Sequence, residues 1–324
     1  MKSVIATQFG GPEVLEVRDV PVPEPGEGEV LVKVKAAGVN YADIMQREGR
    51  YPGGPRPPFA VGFEIAGMVE RLGPGVTEWQ IGDAVMGFCT GGYSEYAIAS
   101  AAGLMQKPHK MDFAHAVAIP CQYLTAYHAL LTLGKLTAGE TVLIQAAAGG
   151  LGTMLVQVAK NYGARVIGTC SGGDKLQVLK QISCDYPINY VEKDFVNEVK
   201  EITGGQGCSL IVESVGGEVF DKSLRCLSPR GRMITLGAAC GQPGTVDALQ
   251  LLFHNWTVSG FHLFAYVTDA EAMVNALRDL NEWIAGRRLT IYTNHTLPLR
   301  SAAEAHQRIQ DRKTYGKVLL DMEW

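Results

Sequence analysis

No run of Lys or Arg occurs in this chain, and its formal charge is −4. The electrostatic footprint of a nucleic-acid binder is therefore missing. No apolar stretch reaches the ~20 residues that a membrane-spanning helix needs. The N-terminus, Met1 to Ala6, passes straight into Gln8 and Gly10, without the apolar core of a signal peptide. These absences predict a cytoplasmic protein. The seven cysteines (Cys89, Cys121, Cys170, Cys184, Cys208, Cys226 and Cys240) never form a C-x-x-C pair. An odd, scattered set argues against a disulfide framework and a four-cysteine zinc lobe. Glycine is abundant, 38 in 324 residues, but has no every-third period, and 47% of the chain is apolar. That excludes a collagen-like or disordered chain. The length suggests two domains, and the glycines must serve turns and close backbone approaches.

The texture of the chain changes twice. Up to about residue 120, short alternating segments such as Val30–Ala36, Ile65–Leu72, Asp83–Phe88 and Ser94–Ala99 are separated by Gly and Pro clusters. This predicts a small β barrel or sandwich, with a short helix at Tyr41–Glu48. From about 122, strands and helices alternate: a strand at Thr141–Ala146, a helix at Leu151–Tyr162, a strand at Arg165–Thr169, and so on to Thr257–Gly260. Such repetition builds a doubly wound parallel sheet. Two amphipathic helices, Asp269–Ala285 and Ala302–Lys313, and a strand at Lys317–Asp321 follow. The expectation is an α/β protein: a β-rich domain from 1–122 and 262–324, and an inserted nucleotide-binding domain at 123–261.

One turn carries a chemical reason. The strand at 141–146 leads into Ala147-Ala148-Gly149-Gly150-Leu151-Gly152 and then a helix. This is the dinucleotide fingerprint with Ala first, in the strand–turn–helix context that it requires. Gly149 lets the backbone approach a pyrophosphate, Gly152 allows close helix–strand packing, and the helix N-terminus faces the anion. A tight structural turn is the alternative. The next strand ends in Thr169-Cys170-Ser171, where an NAD site usually places an acid for the ribose 2′-OH. A hydroxyl with Lys175 suits a 2′-phosphate, hence NADPH. The plainer reading is a solvated Lys175 and an N-cap at Asp174.

With these motifs the chain resembles the zinc-free quinone oxidoreductase branch of the medium-chain dehydrogenase/reductase superfamily. The resemblance runs over essentially the whole length. It is carried by Ala37–Asp43, Gly62–Gly67, Gly92–Tyr96, Leu124–Ala129, Ala146–Gly152, Ile188–Tyr190, Val215–Gly217 and Gly316–Leu320. Asn40–Met45 and Gly260–Leu263 look most like the vesicle amine transport protein homologues. The resemblance implies a GroES-like catalytic domain, an inserted Rossmann domain, bound NADPH and a homodimer. It places Ser171, Lys175 and Tyr190 at the adenosine phosphate, Thr125 near the nicotinamide, and Asn40 and Tyr51 in the active site. Met45 stands where the family often has another Tyr. Zinc-dependent relatives ligate metal at positions matching Asn40, Phe63 and Cys121. Only Cys121 is a ligand type, and catalytic zinc takes about three protein ligands.

The chemistry expected is hydride transfer from NADPH to a quinone or an α,β-unsaturated carbonyl, with Asn40 and Tyr51 orienting the acceptor. Charge developing on the acceptor oxygen can be met by hydrogen-bond donors. Asn40 can equally cap the helix that follows it, and Asp43 can be structural. His128, three residues after Thr125, shares its helix face and is either packed or a proton donor. An enoyl-thioester reductase, drawing on Arg47, Arg50 and Arg56, and an NADPH-binding protein with a non-catalytic role are the alternatives.

Overall fold

The computed structural model describes residues 1–323. They fall into two compact units: Met1–Cys121 with the segment from Ile291 on, and the continuous stretch Gln122–Thr290. Residues 262–290, expected with the first domain, group with the second unit. The reason lies in the helix Ala270–Ala285. Tyr123 donates its hydroxyl to Ala276 O at 2.8 Å, and Tyr127 and Tyr162 donate to the Asp279 carboxylate at 3.0 and 2.9 Å. Trp283 fills the space between those three rings.

The first unit is β-rich, as its alternating segments predicted. Its main sheet has seven strands. The long strand Glu29–Val39 pairs antiparallel with Glu64–Leu72, Tyr96–Ser100 and Val318–Asp321. Its inward positions, Val30, Val32, Val34 and Ala37, are buried with Ile65, Val85 and Leu320 in one core. A three-stranded sheet, formed by Lys2–Ala6, Leu15–Asp19 and Phe59–Ala60, has no counterpart in the sequence reading. The register Val318↔Val39 sets Lys317 opposite Asn40. This pairing decides the site described below.

The second unit holds six strands, all parallel: Tyr186–Asn189, Arg165–Cys170, Thr141–Ile144, Cys208–Glu213, Leu227–Thr235 and Thr257–Gly260, in that spatial order. Numbered along the unit this is 3-2-1-4-5-6, the doubly wound dinucleotide-binding order. Its central strands are buried on both faces and therefore read as near-continuous apolar runs, Val-Leu-Ile in Thr141–Ile144 and Leu-Ile-Val in Cys208–Glu213. The helix that carries Leu124–Ala129 starts at Pro120, and its second half, His128–Leu133, winds as a π-helix. Among the described residues no helix is long and apolar enough to cross a membrane.

Candidate active site

In the second unit, the fingerprint residues line the carboxyl edge of the parallel sheet. Helix Gly150–Asn161 opens with Gly149 at its N-cap and no side-chain cap. Its first internal hydrogen bond is Thr153 N to Gly149 O at 2.9 Å. The N–H groups of Gly150, Leu151 and Gly152 come before it, so they and the positive dipole end are available to an anion. Gly152 is required sterically, because a Cβ there would meet Ala146 O at 2.3 Å and Ala147 Cα at 2.6 Å. Around Gly149 the nearest atom would be 3.4 Å away, leaving its approach open. Ala147 is fully buried and ties the turn to the next strand, its N–H donating to Thr169 O.

Ser171 follows that next strand, Lys175 lies in the helix after it, and Tyr190 follows the neighbouring strand Tyr186–Asn189. Lys175 Nζ donates to Ser171 Oγ at 3.1 Å. Tyr190 N donates to Cys170 O at 3.0 Å, and its ring is 38% exposed. Gly172 and Gly173 both have positive φ, which turns the chain sharply between Ser171 and Lys175. The set is a hydroxyl, an ammonium and a phenol, all donors, and it fits a phosphate. Gly173, rather than Asp174, is the N-cap of the helix Asp174–Gln181. Thr169 is not part of this edge. Its hydroxyl is buried and donates to Gln145 Oε1, whose amide donates in turn to Ser223 Oγ. Thr125 stands on the helix Pro120–Tyr127, 8% exposed, and its side chain makes no hydrogen bond among the described residues. His128 is sealed: Nδ1 bonds Thr132 Oγ1, the ring stacks on Tyr266, and burial lowers its pKa.

The first unit holds a buried polar centre around Asn40. Asn40 Oδ1 accepts from Lys317 Nζ at 2.7 Å, and Nδ2 donates to Glu64 Oε2 at 2.9 Å. Lys317 and Glu64 are themselves an ion pair at 2.6 Å. The second Glu64 oxygen accepts from Cys121 N at 2.6 Å. Gly38 makes room for the pair, since a Cβ there would lie 2.4 Å from Glu64 Oε2 and 2.8 Å from Lys317 Cε. Asn40 also takes the N-cap position of the helix Tyr41–Arg47, so the plainer reading of it is part of the structure too.

A second chain of bonds meets Asn40 from below. Asp43 Oδ2 accepts from Asn40 N at 2.8 Å and from the Tyr93 hydroxyl at 2.9 Å. Tyr93 also contacts His306 Nε2 at 3.2 Å, and His306 Nδ1 lies 3.3 Å from Arg47 Nη1. Arginine only donates. Nδ1 is therefore the acceptor, Nε2 carries the hydrogen, and donation runs one way, from Arg47 through His306 and Tyr93 to Asp43. A chain that ends on a guanidinium does not relay protons; it holds Tyr93 and Asp43 in place. Burial, with Arg47 beside it, pushes His306 down to about 3. Burial pushes the Asp43 carboxyl up to about 7, and its Oδ1 is a buried oxygen without a partner. Tyr51 belongs to the same neighbourhood: burial, then the charges of Cys121 and Asp43, raise its phenol above the ordinary value and keep it a donor. The structure thus groups Asn40 and Tyr51 around Asp43. Lys317, Tyr93 and His306 had no role in the sequence reading. The signals were Gly38 and the Gly92–Tyr96 and Gly316–Leu320 motifs.

Comparison with known proteins identifies the family. The family described as "Alcohol dehydrogenase GroES-like domain" matches residues 26–109, and "Zinc-binding dehydrogenase" matches 150–280. The structure of Escherichia coli quinone oxidoreductase complexed with NADPH superposes with a TM-score of 0.94, at 33% identity over 99% of this chain and 100% of that one. The chain belongs to the quinone oxidoreductase-like medium-chain dehydrogenases/reductases. Within this family it is 34% identical to a 2-haloacrylate reductase of Burkholderia, over 96% of each. It is 32% identical to the synaptic vesicle membrane protein VAT-1 homolog of rat, over 99% of this chain and 84% of the relative. The family's zinc name does not carry over to the ligand positions, which hold Asn40, Phe63 and Cys121. Phe63 stacks on Phe88, and Cys121 offers its backbone N–H to Glu64. Among the described residues, no group of three or more His, Cys, Asp or Glu side chains is placed to hold a metal.

Proposed function

We propose that this chain is an NADPH-dependent reductase that reduces a quinone or an α,β-unsaturated carbonyl. The observation that carries the reading is the donor set Ser171, Lys175 and Tyr190 at the strand end beside the uncapped helix at Gly150. Ser171, Lys175 and Tyr190 would hold the 2′-phosphate, and the N–H groups of Gly150, Leu151 and Gly152 the pyrophosphate. Ala147 and Gly149 shape that turn. When bound, NADPH supplies the hydride. Thr125 is assigned to the nicotinamide side on the family resemblance. The chain's own part is to receive the charge that builds on the acceptor oxygen. Tyr51, kept protonated by its surroundings, donates to that oxygen, and Asn40 orients the acceptor beside it. A NADPH-bound quinone oxidoreductase and a reductase of 2-haloacrylate, a conjugated acid, are both relatives over nearly the full length.

The enoyl-thioester reading loses support from its arginines. Arg47 is fully buried, donating to Gly10 O, Gln310 and Glu48. Arg50 is paired with Glu48. Neither is placed to grip a coenzyme. A homodimer is supported by one face of the second unit. The strand Thr257–Gly260 ends the sheet, and the helix Ala248–His254 before it leaves Leu249, Leu252 and Phe253 60–76% exposed. A cytoplasmic setting suits seven free thiols.

The test is a substrate panel: oxidation of NADPH and NADH with 9,10-phenanthrenequinone, a short enone and crotonyl-coenzyme A. Turnover of the quinone or enone with NADPH preferred is the expected result. Tight NADPH binding without turnover of any acceptor would replace it with a binding role.

A further inference from the structure

We propose that Lys317 is a positioning residue for the acceptor site, fixing the amide of Asn40 with Glu64 as its counter-charge. The inference rests on the reading of Asn40 as an acceptor-side group.

A side-chain amide can face either way, and its partners decide which. An ammonium only donates and a carboxylate only accepts. Lys317 Nζ at 2.7 Å therefore selects Oδ1, and Glu64 Oε2 at 2.9 Å selects Nδ2. The direct Lys317–Glu64 contact at 2.6 Å closes the triangle. A flipped amide would set N–H against ammonium and oxygen against carboxylate, two repulsive contacts in a dry site. Lys317 is 2% exposed and Glu64 fully buried, so water does not screen either contact.

The arrangement is more than packing. A buried ion pair is weak support for stability, since apolar groups of similar size often replace it without loss. Here the fold goes to some length to keep it. Gly38 is left without a side chain so that both groups fit, and Lys317 reaches Asn40 across 277 residues of chain through the register of two strands. Both polar atoms of the amide meet this pair, and the backbone adds two contacts in the same sense, Nδ2 to Gly38 O at 3.4 Å and the Asp43 N–H to the side-chain oxygen. Glu64 extends the same frame to Cys121 N through its other oxygen. Lys317 touches none of the reacting groups in this scheme. It sets the angle of one that does.

The experiment is a double-mutant cycle read on kcat, KM for 9,10-phenanthrenequinone, NADPH affinity and Tm. Lys317→Met alone strands a buried carboxylate and tests the cost of that charge. The paired variant Glu64→Gln/Lys317→Met removes both charges and retains the volume. The paired variant is expected to keep NADPH affinity and to lose kcat by about thirtyfold, with KM changed less than about threefold, as misorientation of one positioned group does. Adding Asn40→Ala to it should cost less than about twofold more, because the two changes act on one amide. Full multiplication of the Asn40→Ala loss, or an unchanged kcat in the paired variant while Asn40→Ala alone is slow, overturns the inference and leaves the function standing. An unchanged kcat in Asn40→Ala alone overturns the acceptor-side reading of Asn40 and this inference with it.

Discussion

In the second unit the anion-facing donors belong to the backbone of one turn, Gly150 to Gly152, joined by side chains from the neighbouring strand. In the first unit the polar centre is assembled from side chains at 40, 43, 64, 93, 306 and 317, delivered by separate strands and helices. The first kind of site is intolerant of shape: one methyl group at Gly152 collides with backbone. The second kind is intolerant of charge: each member bonds another, and removing one strands the next. The two units therefore differ in what breaks them, and mutation can show it.

The largest effect is expected at the backbone-built site. Gly152→Ala sets a Cβ 2.3 Å from Ala146 O, and no flexible side chain is there to move. A loss of about 3 kcal/mol in stability is expected, read by urea denaturation, together with loss of NADPH binding. An unperturbed Tm would show that the turn can yield and would erase the contrast. Next comes the side-chain site. Tyr51→Phe should lower kcat by about a hundredfold, the usual cost of one donor to a developing oxyanion, with NADPH affinity unchanged in fluorescence titration. Smaller is Lys175→Ala, which should weaken NADPH about thirtyfold while NADH affinity is unaffected. Equal losses for both nucleotides would remove Lys175 from the 2′-phosphate.

The smallest effect sharpens the charge side of the comparison. Asp43 is raised to about 7 by burial from 3.8. Between those values the folded protein holds a proton that the unfolded chain lacks, so its contribution to stability falls as pH rises from 4 to 7. His306 is lowered to about 3 from 6.5 by burial and Arg47. Its contribution runs the other way: complete above 6.5, lost as pH falls towards 3. Between pH 4 and 6.5 the two slopes oppose each other. Asp43→Asn removes one of them. Its stability should then climb with pH across that window more steeply than that of the unaltered protein, by about 1 kcal/mol per unit. Denaturation midpoints at pH 4.5, 5.5 and 6.5 measure this.

The same contrast explains what could be read beforehand. Ala147 to Gly152 was legible because strand, turn and helix are consecutive, and a local motif carries its own context. Ser171 and Lys175 followed from the end of the second strand, and Tyr190 from the resemblance. The sixfold strand–helix alternation announced the parallel sheet. Asn40 and Tyr51 came from the resemblance, but their surroundings did not. Nothing in residues 37–43 says that Lys317 will lie opposite Asn40; that depends on which antiparallel strands pair and in what register. The exclusion of a proton relay needed the meeting of Arg47 and His306, 259 residues apart. The helix Ala248–His254 escaped because none of its residues is buried, and amphipathic periodicity is a signal of burial. The segment 262–290 was misplaced for a related reason: its helix face showed that it packs, not on what.

The way Lys317 reaches Asn40 also sets an order of events during synthesis. Gln122–Thr290 is one unbroken stretch with its own sheet and core, so it has everything it needs to fold while the chain is still being made. The first unit begins earlier and finishes later. Its strand Glu29–Val39 waits for Val318–Asp321, and Glu64 waits for Lys317, its ion-pair partner. Until Val318–Asp321 leaves the ribosome, the second unit can be complete while the first still lacks a strand of its main sheet. Any chain cut short before Lys317 is expected to stop there.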